Sequence, residues 1–258
     1  MAFLDPVFNP VLLPLINLNP FWGIVILSLS ISLLIVVIYK LATDQKEMKR
    51  LKNEQKEYQK KLKSLKSDPA EMMKVQKEAM KQNLAYMKHS FKPTLITFIP
   101  IILIFGWMNA HLAFEPIYPG ETYSITATFK EGITGEAKLE VDDNTELISE
   151  SKQEITENQA TWNLKSEAGE HFLSVKIGDK EIGNTEQTKK VLIADNFAYE
   201  EQITVFPHSD IEQIKINYNP LKPAGNFSLF GWRPGWLGWY IIFSIAFSIG
   251  LRKLLKVY

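Results

Sequence analysis

The sequence predicts an α-helical membrane protein with an inserted all-β domain, and three observations carry that reading. Three apolar runs without Lys, Arg, Asp or Glu reach or approach bilayer length: Phe21–Tyr39, Leu95–Phe114 and Trp236–Leu251. A helix of about 20 residues, at ~1.5 Å each, spans the ~30 Å hydrocarbon core. Charge is also segregated, although the whole chain is formally neutral. Residues 40–92 hold 15 Lys and Arg against 7 Asp and Glu, whereas residues 115–233 hold 11 against 21. Finally, the acidic block alternates apolar and polar residues with the period of a strand, while the basic block repeats at helical steps of three and four.

Taken in order, residues 1–20 carry Pro6, Pro10, Pro14 and Pro20, one acid at Asp5 and no Lys or Arg. A positive n-region and a cleavage site are missing, so this is not a signal peptide. Phe3, Leu4, Val7, Phe8, Val11, Leu12 and Leu15 recur at helical spacing, which predicts a short helix in the outer interface. Residues 21–39 form the first span, with Phe21 and Trp22 as an aromatic belt and Tyr39-Lys40 at the other end. Because only the second end opens onto a basic block, the positive-inside rule places the N-terminus outside and residues 40–92 in the cytosol. The third span agrees, beginning at Trp236 and ending in the tail 252–258 with Arg252, Lys253 and Lys256.

The cytosolic block reads as an antiparallel coiled-coil hairpin. Leu41, Asp44, Met48, Leu51, Gln55, Tyr58, Leu62 and Leu65 form a heptad seam with two polar breaks. Asp68, Pro69 and Glu71 read as cap, first helical position and capping box of a second helix. That helix sets Met73, Met80 and Met87 seven apart, with Leu84 and Phe91 alongside. Methionine at such spacing reads first as filler of an irregular core, and second as a flexible apolar surface that accepts many sequences. On that second reading Met72, Met73, Met80 and Met87 are the candidate contacts for such sequences.

The second span, residues 93–114, holds Pro93, Pro100, Gly106, Asn109 and His111, which need protein neighbours rather than lipid. Residues 115–222 then alternate at Tyr123–Phe129, Ala137–Val141, Ala160–Leu164, Leu173–Ile177, Ile203–Val205 and Ile214–Ile216. Turn signals at Pro119-Gly120, Glu131-Gly132, Ala168-Gly169, Gly178-Asp179 and Gly183-Asn184 punctuate them. About seven short strands in this length suggest an extracytoplasmic immunoglobulin-like sandwich. It holds no disulfide, since the chain has no cysteine. His171 and His208 are isolated, and no spacing suggests a catalytic or metal-binding constellation. Residues 223–235 form an aromatic interfacial re-entry segment before the third span, residues 236–251.

Given this topology, polar atoms of the spans gather in the cytosolic half. Ser28 and Ser32 lie one turn apart, Thr94 and Thr97 sit at the inner end of the second span, and Ser244, Ser248 and Arg252 share a face of the third. Small hydroxyls in membrane helices often back-bond or pack, and Arg252 also suits a topology anchor. Jointly the seven suggest a water-accessible groove open to the cytosol.

Phe91-Lys92-Pro93 running into Thr97-Phe98-Ile99-Pro100 and Phe105-Gly106-Trp107 resembles the archaeal YidC-like proteins. These belong to the Oxa/YidC superfamily of membrane protein insertases, together with the insertase subunit of the ER membrane protein complex. Gly235-Trp236-Leu237-Gly238-Trp239-Tyr240 with Ser244 and Arg252-Lys253-Leu254-Leu255 is similar to the family's last helix. Asp5-Pro6 before the first span and the basic hairpin after it match as well, so the resemblance covers residues 1–114 and 227–258. It implies a three-helix core with a cytosol-facing hydrophilic groove, no cofactor and no covalent chemistry. One departure concerns the arginine that many bacterial members place on the first core helix, where Phe21–Tyr39 offers only Ser28, Ser30 and Ser32.

The resulting expectation is a multi-pass cell-membrane insertase or chaperone, not an enzyme. It passes short hydrophilic client segments through the groove and releases the client's apolar helix into lipid. Expected partners are nascent membrane proteins, the ribosome through the basic hairpin, and anionic lipids, with no specific nucleic acid sequence. The alternative is a membrane anchor that presents the β domain and binds a cytosolic partner through the coiled coil.

Overall fold

The computed structural model describes residues 5–65, 69–178 and 186–257. Among them the chain forms α1 (Asp5–Leu18), α2 (Pro20–Ala42), α3 (Gln45–Ser64) and α4 (Pro69–Leu112), then strands β1 (Thr122–Phe129), β2 (Glu136–Glu140), β3 (Thr145–Leu147), β4 (Lys152–Glu154), β5 (Gln159–Ser166), β6 (Gly169–Ile177), β7 (Glu186–Ile193), β8 (Ile203–Val205) and β9 (Ile211–Ile216), and finally α5 (Trp236–Leu254). Two compact units result: Met1–Pro6, Phe21–Trp107 and Leu237–Tyr258 in one, Val7–Pro20 and Met108–Trp236 in the other.

In the first unit, the second cytosolic helix and the second span are continuous through residue 93. α4 is one helix of 44 residues carrying both Pro93 and Pro100 inside it. Proline removes a backbone donor, and hydroxyls around Pro93 bond back to the preceding turn: Thr94 Oγ1 donates to the Ser90 carbonyl at 2.7 Å and Thr97 Oγ1 to the Pro93 carbonyl at 3.1 Å. Leu41 and Asp44 also leave the expected seam. Leu41 belongs to the end of α2 and is exposed. Asp44 is the N-cap of α3, its carboxylate accepting from the backbone N–H groups of Lys46 and Glu47. α3 thus starts later than the seam suggested, and its 20 residues reach ~30 Å. The cap at Asp68 lies outside the described residues.

Aromatic rings join the helices at one end: Phe21 of α2 meets Trp239 and Phe243 of α5 at centroid distances of 5.1 and 5.7 Å, and Phe105 of α4 meets Tyr240 at 4.7 Å. These edge-on contacts are worth about 0.5–1.5 kcal/mol each beyond area burial. At the other end Val36, Tyr39, Met48 and Val257 form a buried cluster, with Tyr86, Leu251 and Leu255 packed on it.

The second unit is a two-sheet antiparallel β domain. One sheet runs β3-β5-β1-β9-β8 and the other β4-β2-β6-β7. β1 is central, pairing β5 with Ile125 opposite Trp162 and β9 with Ile125 opposite Ile216. Inward residues of both sheets share one core, including Ile125, Phe129, Leu139, Trp162, Val175 and Val191. Trp162 is fully buried, and its indole N–H donates to the Ser151 carbonyl at 2.9 Å.

β7 escaped the alternation because its inward row contains Lys189. That side chain is buried, and its ammonium donates to Thr204 Oγ1 at 2.8 Å and to the Glu201 carbonyl. Burial pushes its pKa down, against the opposing pull of Glu200 and Glu201. β3 and β4 escaped because they have three residues each. β8 is a correction of facing: Ile203 and Val205 lie outward on an edge strand, and Thr204 points in. The turn residues 179 and 183–184 lie outside the described residues.

α1 is a helix, as its spacing predicts, but one side of it docks within this second unit. Ile16 is fully buried, and Asn17 Oδ1 accepts the backbone N–H of Phe197 at 3.2 Å. Val7, Val11 and Leu18 stay exposed. Ahead of α5, Leu229 and Trp232 exchange backbone hydrogen bonds across Phe230 and Gly231, both at positive φ. Phe227, Phe230 and Trp232 project outward from this tight turn.

Candidate functional site

The candidate site lies on α4 and on the helices that meet it. α4 has two faces of different character. From residue 69 to 97 its half-buried or buried positions are Met72, Val75, Ala79, Gln82, Ala85, Tyr86, Ser90, Pro93 and Thr97, stepping by three and four apart from Ala85. This is a helix-packing seam, and at its base Tyr86 joins the cluster around Met48 of α3. On α3 the matching row is Met48, Leu51, Gln55, Tyr58, Leu62 and Leu65.

The methionines seven apart do not lie in that seam. Met73, Met80 and Met87 are 71, 56 and 63 % exposed. Leu84 and Phe91 are exposed beside them, and the same row continues through Leu95, Phe98 and Ile102. The steps are again three, four or seven, so one apolar track runs along α4 from its first turns into its membrane-length part. Core filling therefore falls to Val75, Ala79 and Tyr86, and of the four candidate contacts only Met72 turns partly toward the seam. The sequence hides this because both rows have heptad spacing, offset by one residue.

The seven groove candidates divide by burial. Ser28, Ser32 and Thr97 are buried, Ser244, Ser248 and Arg252 are half-buried, and Thr94 is exposed. Ser28 Oγ donates to its own helix at the Ile24 carbonyl, 2.7 Å away. Ser32 Oγ instead crosses to α5, donating to the Ser244 carbonyl at 3.5 Å. The Ser244 Oγ is buried without a hydrogen-bond partner among the described residues. Thus Ser32 and Ser244 come together, Ser28 and Thr97 serve their own helices, and Thr94 bonds back to Ser90.

Arg252 packs its guanidinium over the Tyr39 ring, 4.9 Å from the centroid, and the Tyr39 hydroxyl hydrogen-bonds Ser90 Oγ at 3.0 Å. Tyr39 thereby ties α2 to α4 and α5. Sequence reasoning treated it as a belt residue only. Its end-of-span position gave no sign of the two partners, which come from distant segments.

In the β domain, His171 is not isolated. Its Nδ1 lies 3.0 Å from Asp142 Oδ2 and 3.1 Å from Thr145 Oγ1, while Nε2 meets the Glu167 carbonyl at 2.9 Å. Thr145 continues to Ser166 and Ser166 to Tyr123. With its Nε2 bonded to a backbone carbonyl and the imidazole almost fully buried, this network braces strands and offers no free base beside a hydroxyl. Burial raises the Asp142 pKa, but hydrogen bonds from His171 and Thr145 outweigh it and hold the carboxyl below its usual range. No group of His, Asp or Glu among the described residues has metal-site geometry.

Among the described residues, three helices are long and apolar enough to cross a membrane: α2, α4 and α5. Together with the β domain they define an integral membrane protein with a helical unit and an inserted β unit. Residues 5–131, a little under half of the chain, match the model of the family described as integral membrane protein EMC3/TMCO1-like. That family belongs to the Oxa1/YidC/Alb3 insertase superfamily. No curated protein and no solved structure matches the chain.

Proposed function

We propose that this protein is a membrane insertase or chaperone akin to the archaeal YidC-like proteins. It receives apolar client segments on the outward face of α4 and passes their short hydrophilic ends along the polar faces of α2, α4 and α5. The observation that carries this reading is the exposed track Met73, Met80, Leu84, Met87, Phe91, Leu95, Phe98 and Ile102. Its methionine half suits varied client side chains, because an unbranched thioether adapts to irregular partners. Its other half continues into a lipid-length helix, so a client need never leave an apolar surface.

In this reading the N-terminus and the β domain lie outside and residues 40–92 lie in the cytosol, with the ribosome as a partner of the basic α3–α4 pair. The β domain is proposed as an immunoglobulin-like sandwich, its role outside the insertion step. Insertion helps because a charge at the bilayer centre costs about 2.5–3.5 kcal/mol, and buried hydroxyls near Ser32 and Ser244 lower that barrier.

The anchor reading draws support from a different observation, the back-bonding of Ser28 and Thr97 within their own helices. Photo-crosslinking from Met80 and Ser248 to ribosome-attached nascent chains separates the two. The insertase reading expects crosslinks from both positions to chains whose apolar segment has just emerged. Crosslinks from neither would leave the anchor reading standing.

A further inference from the structure

The basic end of α5 forms a pocket that shares only Arg252 with the proposed groove. Lys52 of α3 and Ile249, Arg252, Lys253, Lys256 and Val257 surround a cavity of about 460 Å³. Among the described residues, four cations and no carboxylate line it. Arg252, Lys253 and Lys256 make no ion pair among the described residues. Glu47 and Glu54 of α3 both pair with Arg50.

The pocket is also held in shape. Arg252 is fixed over Tyr39, as described above. The chain then turns back in a helix cap in which the Val257 N–H donates to the Arg252 carbonyl at 2.9 Å, with Lys256 at φ 52°. Glycine is the usual residue at that left-handed position, and a side chain there is strained. Val257 is buried in the Tyr39–Met48 cluster, which seats the turn. A lysine therefore occupies the one position of this cap where glycine would fit better, and that lysine lines the cavity. The helix C-terminus itself opposes an anion with about half a negative charge, far less than Arg252, Lys253 and Lys256 supply.

The remaining wall decides the ligand class. Ile249 is 66 % exposed and lies on α5 within a membrane-length helix. A free anion has no use for that wall, whereas a phospholipid places its phosphate among the cations and its first methylenes against Ile249. We propose that this pocket is a site for one anionic phospholipid headgroup, independent of whether the protein inserts clients.

The test uses the full-length chain in detergent and calorimetric titration with dihexanoyl phosphatidylglycerol, dihexanoyl phosphatidylcholine and inorganic phosphate. Saturable one-to-one binding of the anionic lipid is expected, at least about fivefold tighter than either other probe, since a cation near a charged surface contributes about 1 kcal/mol. Lys256→Gly is the sharpest variant. It relieves the strained cap and so retains the fold, yet it should weaken the anionic lipid about fivefold, and adding Lys253→Gln about fivefold again. Lys60→Gln with Lys63→Gln removes the same charge from α3 outside the pocket and should change nothing. Wild-type affinity in Lys256→Gly, or equal weakening in the Lys60/Lys63 control, would overturn the site. Inorganic phosphate binding as tightly as the lipid would overturn the phospholipid assignment in favour of a free anion.

Discussion

The β domain and helix α4 use apolar residues in opposite ways. In β5 every second residue is buried, Ala160, Trp162, Leu164 and Ser166, and each outward neighbour is polar. Along α4 from residue 72 to 98 the half-buried or buried row is made largely of small or polar residues such as Ala79, Gln82, Ser90 and Thr97, while large apolar ones such as Met80, Leu84, Met87 and Phe91 face out. Only further along are Trp107, Met108 and Leu112 fully buried. Alternation in the strand is consumed by folding. The methionine and phenylalanine row of α4 contributes little to the fold of its own unit and is available to another apolar body, lipid or client. Apolar periodicity thus marks where a surface is apolar, and not which partner covers it.

The largest expected effect breaks the strand side of this contrast. Trp162→Ala empties the shared core and its indole hydrogen bond, a loss of about 3–5 kcal/mol. The near-ultraviolet signal of the β domain should melt at lower urea while helical content stays. Equal loss of helix would show that the two units do not fold separately.

Next in size is a change on the polar side of the helices. Ser32→Leu forces a larger side chain against the α5 backbone, where overpacking costs about 1–3 kcal/mol. Ser32→Ala removes only the long hydrogen bond to Ser244. A thermal melt should rank Ser32→Leu well below Ser32→Ala. Reversal of that order would mean Ser32 faces open space rather than the α5 backbone.

The outward row predicts a smaller stability effect and a functional one. Replacing Met73, Met80 and Met87 with Leu should move stability by no more than about 0.5 kcal/mol per site, as is usual for exposed positions. Nascent-chain crosslinks should nevertheless fall, because branched leucine adapts less. A large melting shift with unchanged crosslinking would return these methionines to a packing role.

Acid sharpens the interior of the β domain. The Asp142 carboxyl is held below its ordinary range when folded, so its contribution is present above the unfolded pKa, near 4, and is lost as pH falls through the folded value. The urea midpoint should therefore drop below about pH 4, and Asp142→Asn should flatten that part of the profile. A parallel acid limb in Asp142→Asn would assign it to other carboxylates. Topology costs nothing in stability. The chain lacks cysteine, so single cysteines at Lys63 and Asn184 report sidedness cleanly, and labelling from opposite faces is expected.

How much was legible in the sequence depends on the range of the signal. Local signals sufficed for the three apolar runs, for β1, β2, β5, β6 and β9, and for α1, since period and length act within one element. Charge segregation needed no fold either. The tertiary structure alone decided which of two rows on α4 is buried, because Met72–Thr97 and Met73–Phe98 repeat identically and only α3 and the other helices choose between them. It decided that Lys189 points inward, since a buried ammonium requires the distant Thr204 and Glu201 as acceptors. It joined His171 to Asp142 and Arg252 to Tyr39, pairs far apart in the chain whose energy exists only when both partners have been placed.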